Sequence, residues 1–228
     1  MRLAMSIQWV LMVEKEVIGL SEVINSWLLK LRSEVKYGYS VVSALIEGVE
    51  GRIKGLNDRI LADEEKALML IRSEQEGLAK EVLLHRELLK FRVAQLKMHL
   101  DDLHALTRKV EKLTASVNTA LRRLSSATST LKVGSKDAES VRRSLMAISN
   151  ALAILLKGQK ALKVLNEAVE RSRLAVEAAD RLLLESGALL EELKEDVKEW
   201  KLAGGDPEKA LSNALKELSS KDNVKVKP

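Results

Sequence analysis

The sequence predicts an all-α fold: an elongated antiparallel helical hairpin or coiled-coil bundle with very long helices. Three observations carry this. The only prolines are Pro207 and Pro228, so almost nothing forbids helix before residue 206. Hydrophobic residues make up 46% of the chain but aromatics only 3%, an aliphatic bias foreign to compact cores. Apolar residues also recur every seven positions over long stretches, the signature of helices with a sticky seam.

Taken in order, residues 3–13 are almost unbroken apolar residues behind Arg2. Eleven residues are too few to span a bilayer as a helix, which needs about 20. Glu14-Lys15-Glu16 follows where a secretory signal would carry small residues for cleavage. Leu3, Met5, Ile7, Trp9, Val10, Val13 and Trp27 suit insertion into a membrane interface, or else pack on the bundle. We take residues 1–31 as this amphipathic segment.

Residues 32–133 read as a long helical hairpin. A row that starts at Leu28 runs into its first arm through Val35, Val42, Val49 and Leu56. Gly48, Gly51 and Gly55 share one helical face, which implies close approach of a neighbour, a bend, or a turn near residues 55–58. Asp63 suits the N-cap of the second arm, with Glu64 and Glu65 in its first turn. From Leu61 to Leu131, ten of eleven seventh positions are apolar, Gln75 being the exception. At about 1.5 Å per residue such an arm would be on the order of 100 Å long. Val82, Leu89, Leu96, Leu103, Val110, Val117 and Leu124 form its seam, within or between chains. His85, Arg92 and His99 lie in the companion row, where polar residues set register or partner choice.

Val133 to Asp137 is a break, and residues 137–202 form another heptad helix from Val141 to Val197. Its companion row, including Ser144, Ala151, Gly158, Ser172 and Ala179, is mostly small, so a facing helix can approach closely. In the final segment, 203–228, Gly204-Gly205-Asp206-Pro207 makes a joint and Pro207 opens a short helix.

The net charge of +5 is unevenly spread: residues 86–163 carry +10, flanked by −2 and −3. Arg122, Arg123, Lys132, Lys136, Arg142 and Arg143 cluster about the break. Such an elbow suits lipid headgroups or nucleic-acid phosphates, or is a solubilising loop. Aromatic interleaving for base stacking is absent, and nucleic acid stays an open partner.

The absence of cysteine excludes disulfides, thiolate metal sites and cysteine nucleophiles. His85 and His99 would sit about 21 Å apart on one helix, and His99 and His104 do not share a face. Neighbouring carboxylates such as Asp101-Asp102 diverge and do not converge in a pocket. We therefore expect no catalytic site, no metal, no cofactor and no enzymatic activity.

An apolar-led first segment, a helix, a short turn and a longer heptad helix together resemble the ESCRT-III family. The similarity covers about residues 30–135 and is nearest at residues 63–74 and 88–96, which look like the second helix of archaeal CdvB-type division proteins. It implies self-association into filaments or lattices on an anionic membrane surface, peripheral to the cytoplasmic face, in membrane remodelling or cell division. The family often ends in a helix that docks into the MIT domain of a AAA ATPase. Here Glu208, Leu211, Leu215 and Leu218 match its acidic and apolar positions, while Ala214 and Ser219 replace its basic ones. Residues 1–85 are slightly acidic where the family is basic, and the 138–202 helix is more regular than the family's C-terminal helices. A soluble coiled-coil scaffold or adaptor, a phage-shock-protein-A-like relative and a basic nucleic-acid-associated coiled coil are the other expectations.

Overall fold

The heptad-rich stretches fold as helices, but the chain reverses later than the sequence suggests. The structure is a computed structural model describing the backbone of residues 2–133, 138–184 and 192–222, and side chains within 12–132, 139–183 and 196–218. Among these, the elements are α1 (Arg2–Arg72), α2 (Glu76–Val133), α3 (Ala138–Leu184), α4 (Glu192–Leu202) and α5 (Pro207–Asp222). The fold is all-α, and the three long helices pack as an antiparallel bundle. Residues 185–191 of the predicted 137–202 heptad helix lie outside the described residues.

The first reversal is at Ser73–Gln75, so α1 passes unbroken through residues 55–61. Glu74 adopts φ 60°, its N–H donates to Ile71 O, and the Gln75 N–H donates to Leu70 O. These two bonds are a Schellman closure, which satisfies the last carbonyls of the helix. A non-glycine residue there costs about 1–2 kcal/mol. Asp63 is therefore no N-cap; it lies inside α1, 4% exposed. Leu61, the first residue of the long row, is 61% exposed because Leu56, Ile60 and Ala67 form the inner face of α1.

The second closure repeats the first with the expected residue. Gly204 has φ 86°, its N–H donates to Lys201 O, and the Gly205 N–H donates to Trp200 O. Asp206 then caps α5: its Oδ1 accepts the Lys209 N–H at 3.1 Å, with Pro207 in the first helical position.

The chain divides into two compact units. The first comprises Met1–Ala44 and Leu103–Val169, in which α1 and α3 run parallel with α2 antiparallel between them in sequence. Gly158 meets Leu31 and Gly38 meets Leu165, a constant separation of 127 residues. A Cβ built on Gly158 would lie 2.5 Å from Leu31 Cδ2, so glycine permits this close approach. Within this unit the small companion row is a buried face of α3, with Ser144 and Ala151 at most 1% exposed. Ile24, Leu28 and Val35 of α1 and Leu103, Val117 and Leu124 of α2 are buried in the same unit, all at most 1% exposed. Each such leucine contributes about 1.5–3 kcal/mol on burial.

The second unit comprises Leu45–Asp102 and Glu170–Pro228. Here α1 and α3 stay parallel, tied by a bidentate Arg52–Asp180 pair at 3.0 and 3.2 Å. The short helix α5 closes the end by packing Ala214 and Leu218 on Ala67 and Leu83. The glycine patch of α1 makes no turn and no tight approach: nothing lies near Gly51, and Gly55 meets Leu183 only at ordinary contact, 3.7 Å.

Candidate functional site

The basic elbow takes shape in the first unit as a groove between α2 and α3. Seven-residue spacing keeps Val117, Leu124 and Leu131 inside, which turns Arg122 and Arg123 outward. They line a cavity of about 520 Å³ with Arg143 from α3, together with Ser126, Thr130 and Asn150. Among the described residues Arg143 pairs with Glu139 at 3.2 Å, and its side chain is 74% exposed. Arg142 also reaches Glu139, at 3.5 Å, and stays outside the groove lining. Lys132 turns to the other side of α2, where it pairs with Glu22 at 2.7 Å. Lys136 lies outside the described residues. The structure thus brings three of the six predicted cations to one cavity.

A second surface of this unit is apolar. Leu20, Val23 and Trp27 on α1 are 46–52% exposed, and they fall within an arc of about 60° at 100° per residue. Leu145, Leu152 and Leu156 on α3 are 38–62% exposed and share an arc of about 40°. The α2-facing residues mark the opposite sides: Glu22 and Asn25 on α1, Arg143 and Asn150 on α3. Both arcs therefore flank the α1–α3 seam. With a separation of 127 residues, Trp27 is level with residue 154, between Leu152 and Leu156. The six side chains make one strip. Val13 is half-buried beside it, whereas the side chains of Leu3, Met5, Ile7, Trp9 and Val10 lie outside the described residues.

The second unit buries an ion network at the polar interruptions of the seam. The Asp63 carboxylate accepts from His85 Nδ1 at 2.6 Å, and Arg59 reaches the same carboxylate at 3.5 Å. Arg86, with a fully buried side chain, donates to Glu64 and Glu87 and approaches Glu217 of α5 at 3.6 Å. Arg92 grips Glu199 of α4 through both terminal nitrogens, at 2.8 and 2.6 Å, and also binds Asp196. Burial opposes the charge on Arg92, yet hydrogen bonds to Glu199 and Asp196 outweigh it and raise the pKa above the ordinary arginine value. The Arg92 hydrogen bond in turn holds the Glu199 carboxyl below the ordinary glutamate value, against desolvation. Trp200 stacks on Phe91 beside this pair, with ring centroids 5.9 Å apart.

This network was only half legible. His85 and Arg92 are conspicuous in an apolar row, but their partners Asp63, Asp196 and Glu199 look like ordinary surface carboxylates in the sequence. His85 resembles half of a catalytic dyad, and its Nε2 is buried with no protein partner. Its side chain is 4% exposed. The third companion, His99, is half-buried.

Leu89, Leu96, Leu103, Val110, Val117 and Leu124 are at most 5% exposed within the single chain, with Val82 half-buried. The seam is thus filled by the chain's own helices. On α5, Leu218 is 1% exposed, Leu211 and Leu215 pack partly buried on the same cluster, and Glu208 is exposed. Among the described residues, no helix is long and apolar enough to cross a membrane, and no group of three or more His, Asp or Glu is placed to hold a metal ion. Comparison with protein-family models, curated protein sequences and solved structures finds no match to this chain.

Proposed function

We propose that this chain is a non-enzymatic helical-bundle protein that binds peripherally to the cytoplasmic face of a membrane and self-associates there, in the manner of the ESCRT-III-like proteins it resembles. The observation that carries this reading is the strip of Leu20, Val23, Trp27, Leu145, Leu152 and Leu156 along the α1–α3 seam. Water-facing aliphatic side chains around an indole suit the headgroup boundary, where one face of a protein is apolar and the other wet. The preceding segment, residues 3–13, adds apolar character, and the surplus of arginine and lysine in residues 86–163 adds attraction to anionic lipid. Two weak signals together hold what one alone does not.

Because the heptad seam is filled within the chain, self-association would draw on other faces. Docking of α5 to an ATPase, as the resemblance implies, would require Leu215 and Leu218 to leave Ala67 and Leu83. The internally satisfied seam also favours a second reading, a soluble scaffold in which the strip receives another protein.

Co-sedimentation with anionic and neutral vesicles separates the two. Full-length protein should pellet with anionic vesicles, and Trp27→Ser combined with Leu156→Ser should weaken retention at least tenfold. Electron microscopy of the same mixtures should show ordered assemblies on the lipid. Equal retention of wild type and double variant would overturn the anchor, and a discrete dimer or tetramer indifferent to lipid would favour the scaffold.

A further inference from the structure

The groove between α2 and α3 has a chemistry that the apolar strip does not use. Arg122, Arg123 and Arg143 place three permanent positive charges around one cavity of about 520 Å³, within the size range of small-ligand sites. Like charges gathered this way repel one another, and the only carboxylate engaging any of the three is Glu139, on Arg143, among the ion pairs of the described residues. Arg123 forms no ion pair there. The hydroxyl of Ser126 and the amide of Asn150 line the same space as further donors, whereas the Thr130 hydroxyl there already donates to Ser126 O at 3.0 Å.

The shape and lining also say what the ligand is not. From Arg122 to Thr130 the α2 wall extends only about 12 Å at helical rise, too short to track a polymer backbone. No aromatic side chain lines the groove, so bases find no stacking platform. What fits is a compact group with high negative charge and several acceptor oxygens, which arginine forks grip two bonds at a time.

The geometry points to a binding site for a phosphomonoester or short polyphosphate group, held chiefly by Arg123 and Arg143, with Arg122, Ser126 and Asn150 completing the cradle. This inference stands on the groove alone, and it survives or fails independently of the apolar strip. The group could be carried by a lipid headgroup or by a soluble molecule, and the two sources separate experimentally.

The test uses the full chain and tripolyphosphate as the soluble probe, by isothermal titration at about 0.15 M salt, where nonspecific attraction is screened. Saturable one-to-one binding is expected. Arg123→Gln and Arg143→Gln should each weaken it about tenfold, the loss of one charge-assisted contact, while Lys163→Gln, outside the groove, should leave it unchanged. Unaltered helical circular dichroism and thermal midpoint in each variant would show that folding is intact. Neutral vesicles carrying phosphatidic acid supply the second arm. Retention that tripolyphosphate competes away assigns the lipid headgroup, whereas tripolyphosphate binding without retention assigns a soluble phosphate; both support the site. Absence of saturable binding, equal weakening by Lys163→Gln, or binding of duplex DNA that tripolyphosphate does not displace would overturn it.

Discussion

Adding one methyl group at Gly158 tests the parallel packing of α1 and α3 directly. The new carbon would lie 2.5 Å from Leu31 Cδ2, 2.8 Å from Cδ1 and 3.2 Å from Cγ. Leu31 is 3% exposed, so it cannot swing freely into solvent. Overpacking of this kind costs about 1–3 kcal/mol, and replacing a helical glycine by alanine returns about 1 kcal/mol. Gly158→Ala should therefore destabilise by up to about 2 kcal/mol, whereas Gly51→Ala, with open space around it, should stabilise by about 1 kcal/mol. Leu31→Ala alone should cost about 2–5 kcal/mol through the cavity it leaves. In the double variant the clash is gone and the added methyl occupies part of the void. Its cost should fall short of the sum of the single costs by at least about 1 kcal/mol. Urea unfolding of the four proteins of this cycle, followed by helical circular dichroism, measures the coupling through the midpoints at constant slope. Additivity within about 0.5 kcal/mol, or a gain at Gly158 equal to that at Gly51, would refute the contact.

Two further outcomes follow from the helix closures and the ion network. Glu74→Gly should raise stability by about 1 kcal/mol in the same urea assay, because glycine takes the left-handed conformation without strain, while Glu74→Ala should give no such gain. Arg92 holds the folded pKa of Glu199 below its unfolded value, so this pair supports α4 fully above the ordinary glutamate pKa and loses that support as pH falls through the folded value. Trp200 fluorescence, reporting the stack on Phe91, should change over that acidic window, and Arg92→Met should remove the Glu199-dependent part of the profile.

Much of the fold was written in the spacing of aliphatic side chains. Val35, Val42, Val49 and Leu56 are all at most 1% exposed, and the small row of α3 is the face that another helix approaches closely. The reversal at Glu74 was misplaced because its closure uses backbone hydrogen bonds and a left-handed residue, and neither needs glycine or proline. The one available signal was Gln75, the polar exception in the row from Leu61 to Leu131. Charge clustering located the basic elbow, but spacing along two separate helices could not say which cations share a cavity. Lys132 and Arg143 are both near the break, yet one faces Glu22 across the α1–α2 groove and the other the α2–α3 groove. Asp63 was misread for a related reason: local rules favour an acidic residue at a helix start, and only tertiary packing shows that it meets His85.

The pairing of α1 with α3 also sets an order of events during synthesis. Leu31 waits for Gly158, and Gly38 waits for Leu165, each across more than half of the chain. Closing a loop of that length costs entropy before any contact repays it. The α1–α2 hairpin can begin to close at Asp63 and His85, only 22 residues apart, and zip outward to Glu22 and Lys132. Until α3 is made, Leu31 and Gly38 lack the partners Gly158 and Leu165 that they meet in the folded chain. A neighbouring chain carries that same helix, and crowding of nascent chains would offer it to the same residues. The single glycine that admits close packing within one molecule thereby also makes the exchanged pairing sterically possible.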